Sequence, residues 1–118
     1  MGTMVQQYKL EEEDYRGEYF EDHPINLKNN NDLLCITKPD VIKEIHYGYL
    51  AAGADIIETN TFNGTSVSMA DFDLCEYVYQ INFLAARLAR EQSDKVNVFN
   101  FLQNKFFNKI LKLFFFFK

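Results

Sequence analysis

One stretch of the sequence, residues 37–62, limits the fold of this chain more than any other, because its hydrophobic period changes at a glycine. Apolar residues recur at three- and four-residue steps from Lys38 to Ala52, which predicts an amphipathic helix. Gly53 follows, and the next residues, ADIIETNTF, are rich in the β-branched and aromatic types that strands favour. A helix followed so closely by a strand predicts an α/β chain whose strand pairs in parallel with another strand.

Local signals support the ends of this helix. Thr37 and Asp40 have the spacing of a capping-box pair, Pro39 suits the first turn, and Gly53 stands where a left-handed residue ends a helix. A second amphipathic helix is predicted over residues 73–92. Its apolar face consists of Leu74, Val78, Ile81, Leu84, Ala85, Leu88 and Ala89.

Polar residues stand at the carboxyl end of the predicted strand, where α/β sheets and barrels bind their ligands. These residues are Glu58, Thr59, Asn60 and Thr61. Two interpretations are open. The polar groups line a binding site, or they cap the turn predicted at residues 63–64 and bind nothing.

Charge is distributed unevenly along the chain. Residues 1–95 hold all 17 acidic residues and eight of the 12 basic ones, a formal charge of −9, whereas residues 96–118 hold four lysines and no acid, a charge of +4. The overall charge of −5 argues against a nucleic-acid partner, because phosphate contacts need clustered basic side chains. The composition therefore divides the chain near residue 96.

Cysteines and histidines give no sign of a metal site. Cys35 and Cys75 stand far apart, without a C-x-x-C pair and without a histidine at ligand spacing, so we predict that both are small buried residues. His23, in an Asn- and Pro-containing stretch, is predicted in a loop, and His46 is predicted as a packed or solvated helix residue. No signal peptide is apparent, so a cytoplasmic location is expected.

Two long strings carry a family resemblance: GTMVQQYKLEEEDYRGEYFEDH and NNDLLCITKPDVIKEIHYGYLAAGADIIETNTFNGTS, the latter followed by ADF and a long helical pattern. Together they resemble the homocysteine-binding domain of the cobalamin-dependent methionine synthases. The resemblance covers nearly all of residues 1–95. Betaine-dependent and plant-type homocysteine methyltransferases are the close alternative.

The resemblance implies a (β/α)8 TIM barrel and a methyltransferase activity. In such enzymes a zinc ion, held by cysteine thiolates, activates the homocysteine thiol, which takes a methyl group from methylcobalamin carried by another domain. The implied partners are homocysteine and that cobalamin domain. The zinc-binding cysteines of the family lie on late strands, and neither Cys35 nor Cys75 matches them, so no metal ligand and no catalytic residue is assigned here.

Substrate-binding residues are carried over from two motifs of the family. Glu58, Thr59 and Asn60 match its second strand, and Gly2 and Thr3 match the turn that follows its first strand. The resemblance thus predicts a fragment of a TIM barrel that lacks the first strand and everything after the second helix. Residues 1–95 would form a partial homocysteine-binding domain, and residues 96–118 an unrelated tail.

A single strand leaves both of its edges unpaired, and the helices of such a fragment would expose their apolar faces. We therefore expect a chain that folds poorly and is inactive alone. Two other functions are open: a non-catalytic product that binds a partner or a membrane surface through its exposed faces, or a remnant without function.

The tail, VNVFNFLQNKFFNKILKLFFFFK, consists mainly of residues that A/T-rich codons specify, so translated non-coding sequence accounts for it. The alternative is a membrane-surface helix. It would insert Phe106, Phe107, Ile110, Leu111 and Leu113 and turn Lys105, Lys109 and Lys112 towards headgroups. Val96, Val98 and Phe101 also have the spacing of a strand. The tail is too charged to span a membrane, and we do not expect a membrane protein.

Overall fold

A computed structural model describes the backbone of residues 1–116 and the side chains of residues 1–100 and 102. Six α-helices follow one another in this part of the chain: α1 (Gly2–Gln7), α2 (Glu12–Arg16), α3 (Leu34–Thr37), α4 (Pro39–Ala51), α5 (Ser66–Ala70) and α6 (Val78–Phe116). Short 3-10 helices, Asn31–Leu33 and Cys75–Tyr77, precede α3 and α6.

The predicted α/β fold, a fragment of a TIM barrel, is wrong: no β-strand occurs in residues 1–116. The segment expected to be a strand is irregular between α4 and α5, anchored by hydrogen bonds from Ala54 N to Tyr49 O (3.1 Å) and from Asn63 N to the Asp32 carboxylate (2.7 Å). The physical reason is that a strand exists only through pairing, and no second extended segment lies beside this one in the described part of the chain.

Helix α4 confirms the predicted helix and its end, but not its beginning. Gly53 has φ +97°, and the bonds from Gly53 N to Leu50 O and from Ala54 N to Tyr49 O form the left-handed C-terminal motif expected there. At the other end Lys38 is the N-cap, and the hydroxyl of Thr37 is buried without a hydrogen-bond partner among the described side chains instead of capping the helix.

Helices α4 and α6 pack against each other and against α3, which places the core between them. Buried residues of this core include Ile42 and Ile45 on α4, Leu34 on α3, and Ile81 and Leu88 on α6. Most of the apolar side chains that were expected to be exposed are thus buried, because the helices cover one another in the absence of a sheet, although Tyr49 on α4 is 43% exposed.

Helix α6 begins at Val78, after a 3-10 turn, rather than at residue 73, and it continues through residue 95 without interruption. Val96, predicted to imitate a strand with Val98 and Phe101, lies on this helix and is buried. The predicted membrane-facing side chains at positions 105–113 lie outside the described side chains. The division into a domain of residues 1–95 and a tail of residues 96–118 stays a prediction.

Candidate functional site

An open cleft of about 980 Å³ lies where four segments of the chain meet. Its size is at the upper end of the range found for small-molecule sites. The segments are the start of α1, residues 29–32, residues 58–63 and residues 68–72. Of the five predicted substrate-binding residues, four line this cleft: Gly2, Glu58, Thr59 and Asn60. The fifth, Thr3, is exposed on α1 and is not among the lining residues.

Asn60 is the most buried of the predicted residues, with 3% of its surface exposed. Its Nδ2 donates to Asn31 O (3.0 Å) and to Asp32 O (3.2 Å), so the amide ties the irregular segment to the 3-10 helix that precedes α3. Its Oδ1 is buried with no hydrogen-bond partner within the part of the chain that is described. A buried acceptor without a donor is unfavourable, and this one belongs to a residue that lines the cleft.

Asp32 lies beside Asn60 and is 5% exposed. Its Oδ2 accepts the N–H of Asn63 at 2.7 Å, and none of the ion pairs formed by the described residues includes it. Burial raises the pKa of the Asp32 carboxyl, and the hydrogen bond from the Asn63 N–H, which is the smaller effect, lowers it. A buried carboxylate without a cation is costly, so this side chain is a candidate for ligand binding rather than for stability.

The other predicted residues surround this pair with hydroxyl and carboxylate groups. Thr59 Oγ1 and Thr61 Oγ1 lie 2.8 Å apart in a hydrogen bond, and Thr59 is half-buried. Glu58 is exposed at the edge of the cleft. Phe62 also lines the cleft and is 95% exposed, so one wall is apolar and open to solvent.

The thiol of Cys35 lies under the cleft floor and is not a nucleophile or a metal ligand in this arrangement. Its Sγ is 3.2 Å from Asp32 O and 3.3 Å from Ile81 O. Burial, together with the Asp32 carboxylate, raises the pKa of the Cys35 thiol to about 12, so the thiolate form is not populated at neutral pH. Cys35 is buried as predicted, whereas Cys75 is exposed, contrary to the prediction.

Among the described residues, no group of three or more His, Cys, Asp or Glu side chains is close enough together to hold a metal ion. Nor does any helix in this part of the chain combine the length and the apolar composition needed to cross a membrane.

A network of hydrogen bonds holds the loop that carries one wall of the cleft. The guanidinium of Arg16 donates to four backbone carbonyls, those of Phe20 (3.2 Å), Glu21 (3.1 Å), His23 (2.6 Å) and Ile25 (3.3 Å). Because Arg16 offers several donors in a rigid plane, one side chain fixes the whole turn.

Glu12 extends this network towards the cleft. Its carboxylate accepts the N–H groups of Leu27 and Lys28, at 2.9 and 2.6 Å, and pairs with Arg16 at 2.8 Å. The acidic RGEYFEDH block, which carried part of the family resemblance, is thus structural here. The loop that follows this block contains Asn29, which lines the cleft. Its left-handed φ of +73° changes the direction of the chain there.

The two histidines differ: His23 makes a hydrogen bond, whereas the buried Nε2 of His46 has no hydrogen-bond partner among the described residues. His23 lies in a loop, as predicted, and its Nε2 is 2.7 Å from Phe72 O. His46 is 1% exposed on α4, and burial lowers its pKa. It borders a second, smaller cleft of about 250 Å³ with Tyr49, Ile56, Ile57 and Glu58.

Sequence reasoning missed Asp32, because the run Asn29-Asn30-Asn31-Asp32 favours turns over regular structure. The structure has a turn at residues 28–29, but Asn31 and Asp32 belong to the 3-10 helix Asn31–Leu33. A lone acid at the end of such a run, directly before the apolar residues LLCI, was the available signal for a buried carboxylate. Asn30, also missed, is 4% exposed and its Nδ2 lies 3.5 Å from the sulfur of Met69.

The chain was also compared with models of protein families. Residues 1–110 match the model described as homocysteine S-methyltransferase, and this range includes every residue of the cleft. The match supports the resemblance at the level of the family and of methyl transfer, and not at the level of the cobalamin-dependent enzymes. The chain belongs to the homocysteine S-methyltransferase family.

Proposed function

We propose that this chain holds the amino-acid end of homocysteine while a methyl group is transferred to its sulfur. The observation that carries the proposal is the cleft, which brings Gly2, Glu58, Thr59 and Asn60 together although more than fifty residues separate the first from the others. Hydrogen-bond donors and hydrogen-bond acceptors both line the cleft, as the ammonium and carboxylate groups of an amino acid require.

The reaction is the methyl transfer of the family. The homocysteine thiolate attacks the methyl group of the donor, a carbon–sulfur bond forms, and the donor leaves with the electrons of its broken bond to the methyl group. The residues of this cleft bind and orient the acceptor, which raises the fraction of productive encounters.

Methylcobalamin as the methyl donor and zinc as the activator of the thiol are what the sequence resemblance implies for the family. The described residues do not fit zinc: Cys35 is protonated and buried, and no ligand set is assembled.

Calorimetric titration of the full chain with L-homocysteine, under reducing conditions, tests the proposal. We expect saturable binding with one site per chain, weakened about tenfold in Asn60→Ala, because a buried hydrogen-bonding group at the cleft is removed. Asn97→Ala, the same change at an exposed position of α6, is the matched control and should bind like the wild type. Absence of heat of binding for the wild type contradicts the proposal.

A further inference from the structure

Asn82, on helix α6, makes a contact with the chain beside the cleft that the function proposed above does not use. Its Nδ2 donates to Gly64 O and to Val78 O, both at 2.8 Å. Because both partners are carbonyl oxygens, which only accept, the nitrogen of the amide must face them, and the orientation of the side chain follows. None of the described residues of α6 lines the cleft itself.

Gly64 lies in the short stretch that joins two of the four segments of the cleft, residues 58–63 and residues 68–72. The residue before it, Asn63, is held from the other side, since its N–H donates to the Asp32 carboxylate at 2.7 Å. The carbonyl of Gly64 is the next backbone group that is held, and its partner stands on a different helix. The end of the segment that carries Asn60 is therefore fastened to two separate parts of the fold.

The space around Gly64 shows how closely the Asn82 amide is fitted. A Cβ added at Gly64 would lie 3.0 Å from Asn82 Nδ2, 3.1 Å from Asn82 Oδ1 and 3.0 Å from Thr61 Cβ. The preceding residue on α6, Ile81, is fully buried in the core, so the helix position from which Asn82 extends is set by packing. The contact thus relates residues 61–64, at the edge of the cleft, to the core of the molecule.

We propose that Asn82 is a positioning residue for the binding of homocysteine: it touches no ligand, but it holds the cleft segment in place through Gly64. This rests on the function proposed above. A binding group that is held in its productive position does not have to be ordered when the ligand arrives, and this raises affinity. Without the Asn82 amide, residues 58–63 would keep the tie at Asn63 and lose the one to α6.

Calorimetric titration of the full chain with L-homocysteine, under reducing conditions and well below the unfolding temperature, tests the proposal. Asn82→Ala should raise the Kd about three- to tenfold, because a hydrogen bond that orders the segment is lost. Gln80→Ala removes an exposed amide from the same helix and should bind like the wild type. In Asn82→Ala the backbone amides of residues 58–63 should also exchange with solvent faster.

A second pair of variants approaches the same contact from the loop. Gly64→Ala should raise the Kd as well, because the added methyl group displaces the Asn82 amide. In the double variant the two effects should combine to less than their product, since either change alone already breaks the contact.

These outcomes separate positioning from a merely structural role. A structural role would lower the urea concentration at the unfolding midpoint of Asn82→Ala and leave the Kd of the folded chain unchanged, which overturns the proposal while the proposed function stands. Effects that multiply independently in the double variant also overturn it, because Gly64→Ala would then act through Thr61. If the wild type does not bind L-homocysteine, both proposals are overturned.

Should Asn82→Ala lose its circular dichroism spectrum, Asn82→Asp takes its place in every comparison. This variant keeps the shape of the side chain but has an oxygen where Nδ2 donates, so it cannot bond to the Gly64 carbonyl. The same rise in Kd is expected, and an unchanged Kd overturns the proposal.

Discussion

Gly17 has a backbone conformation that other residues adopt only with strain, φ +52° and ψ −157°, and it lies against Thr37. A Cβ at this position would be 3.2 Å from Thr37 Cβ, because the end of α2 lies close to the end of α3. Glycine here is therefore required twice, by torsion angle and by space.

We predict that Gly17→Ala lowers the free energy of unfolding by about 1–3 kcal/mol, measured by urea denaturation. Gly48→Ala is the matched control, because Gly48 is helical and nothing lies within 4 Å of an added Cβ. That variant should be unchanged or more stable by up to about 1 kcal/mol. Equal losses in the two variants would show that the packing at Gly17 is not as described.

Asp32 should also make the stability of the chain depend on pH. Its pKa is raised in the folded state, so the folded chain binds this proton more tightly than the unfolded chain does. The contribution of Asp32 to stability therefore falls as the pH rises from the ordinary pKa of 3.8 through the raised one, and it stays unfavourable above both.

We expect Asp32→Asn to be more stable than the wild type at neutral pH, with a difference that shrinks as the pH falls through this window. Urea denaturation at a series of pH values measures it. Glu12 and Asp14 have lowered pKa values and act in the opposite direction, but they are present in both proteins and cancel in the difference. A difference that does not depend on pH would show that folding does not raise the pKa of Asp32.

At the scale of the element, the loop between α2 and the 3-10 helix before α3 depends on one guanidinium. We predict that Arg16→Lys lowers the free energy of unfolding by about 1–3 kcal/mol, because a lysine amine cannot reach four carbonyls and Glu12 at once. Backbone amides of residues 27–32 should exchange with solvent faster.

Arg87→Lys is the control for this substitution, since Arg87 is exposed and pairs only with Glu91 among the described residues. Its effect should stay within about 0.5 kcal/mol. If Arg16→Lys is as mild as this control, the loop is held by other contacts.

Elements that depend on local sequence could be predicted, and those that depend on distant partners could not. The end of α4 follows from Gly53 and its two hydrogen bonds, all within a few residues, and the sequence analysis found it. The segment 54–62 has strand-forming side chains, yet its conformation is decided by what lies beside it, so the strand prediction failed. Asn60 was identified through its motif, while Asp32 gained its significance only from burial.

For the molecule as a whole, the sequence predicts poor folding, because the apolar helix faces of a barrel fragment would be exposed. The structure buries those faces in one core shared by α3, α4 and α6, so that reason does not apply. Exposed apolar residues occur on the outer sides of α4 and α6, among them Tyr79 (80%), and in the irregular segment, among them Ile56 (85%) and Phe62 (95%).

We predict a single cooperative thermal transition for the full chain, followed by circular dichroism. Ile81→Ala should lower the free energy of unfolding by about 2–4 kcal/mol, since Ile81 is fully buried between helices. Ile56→Ala removes the same atoms from an exposed position and should change it by less than about 0.5 kcal/mol. A broad transition that neither substitution shifts would restore the original expectation.

The network around Arg16 has a consequence for how the molecule is made. Its hydrogen bonds join residues four to nine apart, and those of Glu12 reach only sixteen residues ahead. Contacts this close in sequence form quickly and early. During synthesis on the ribosome, the wall of the cleft can thus be complete before α6 has emerged to cover the core, and the later half of the chain docks onto a surface that already exists.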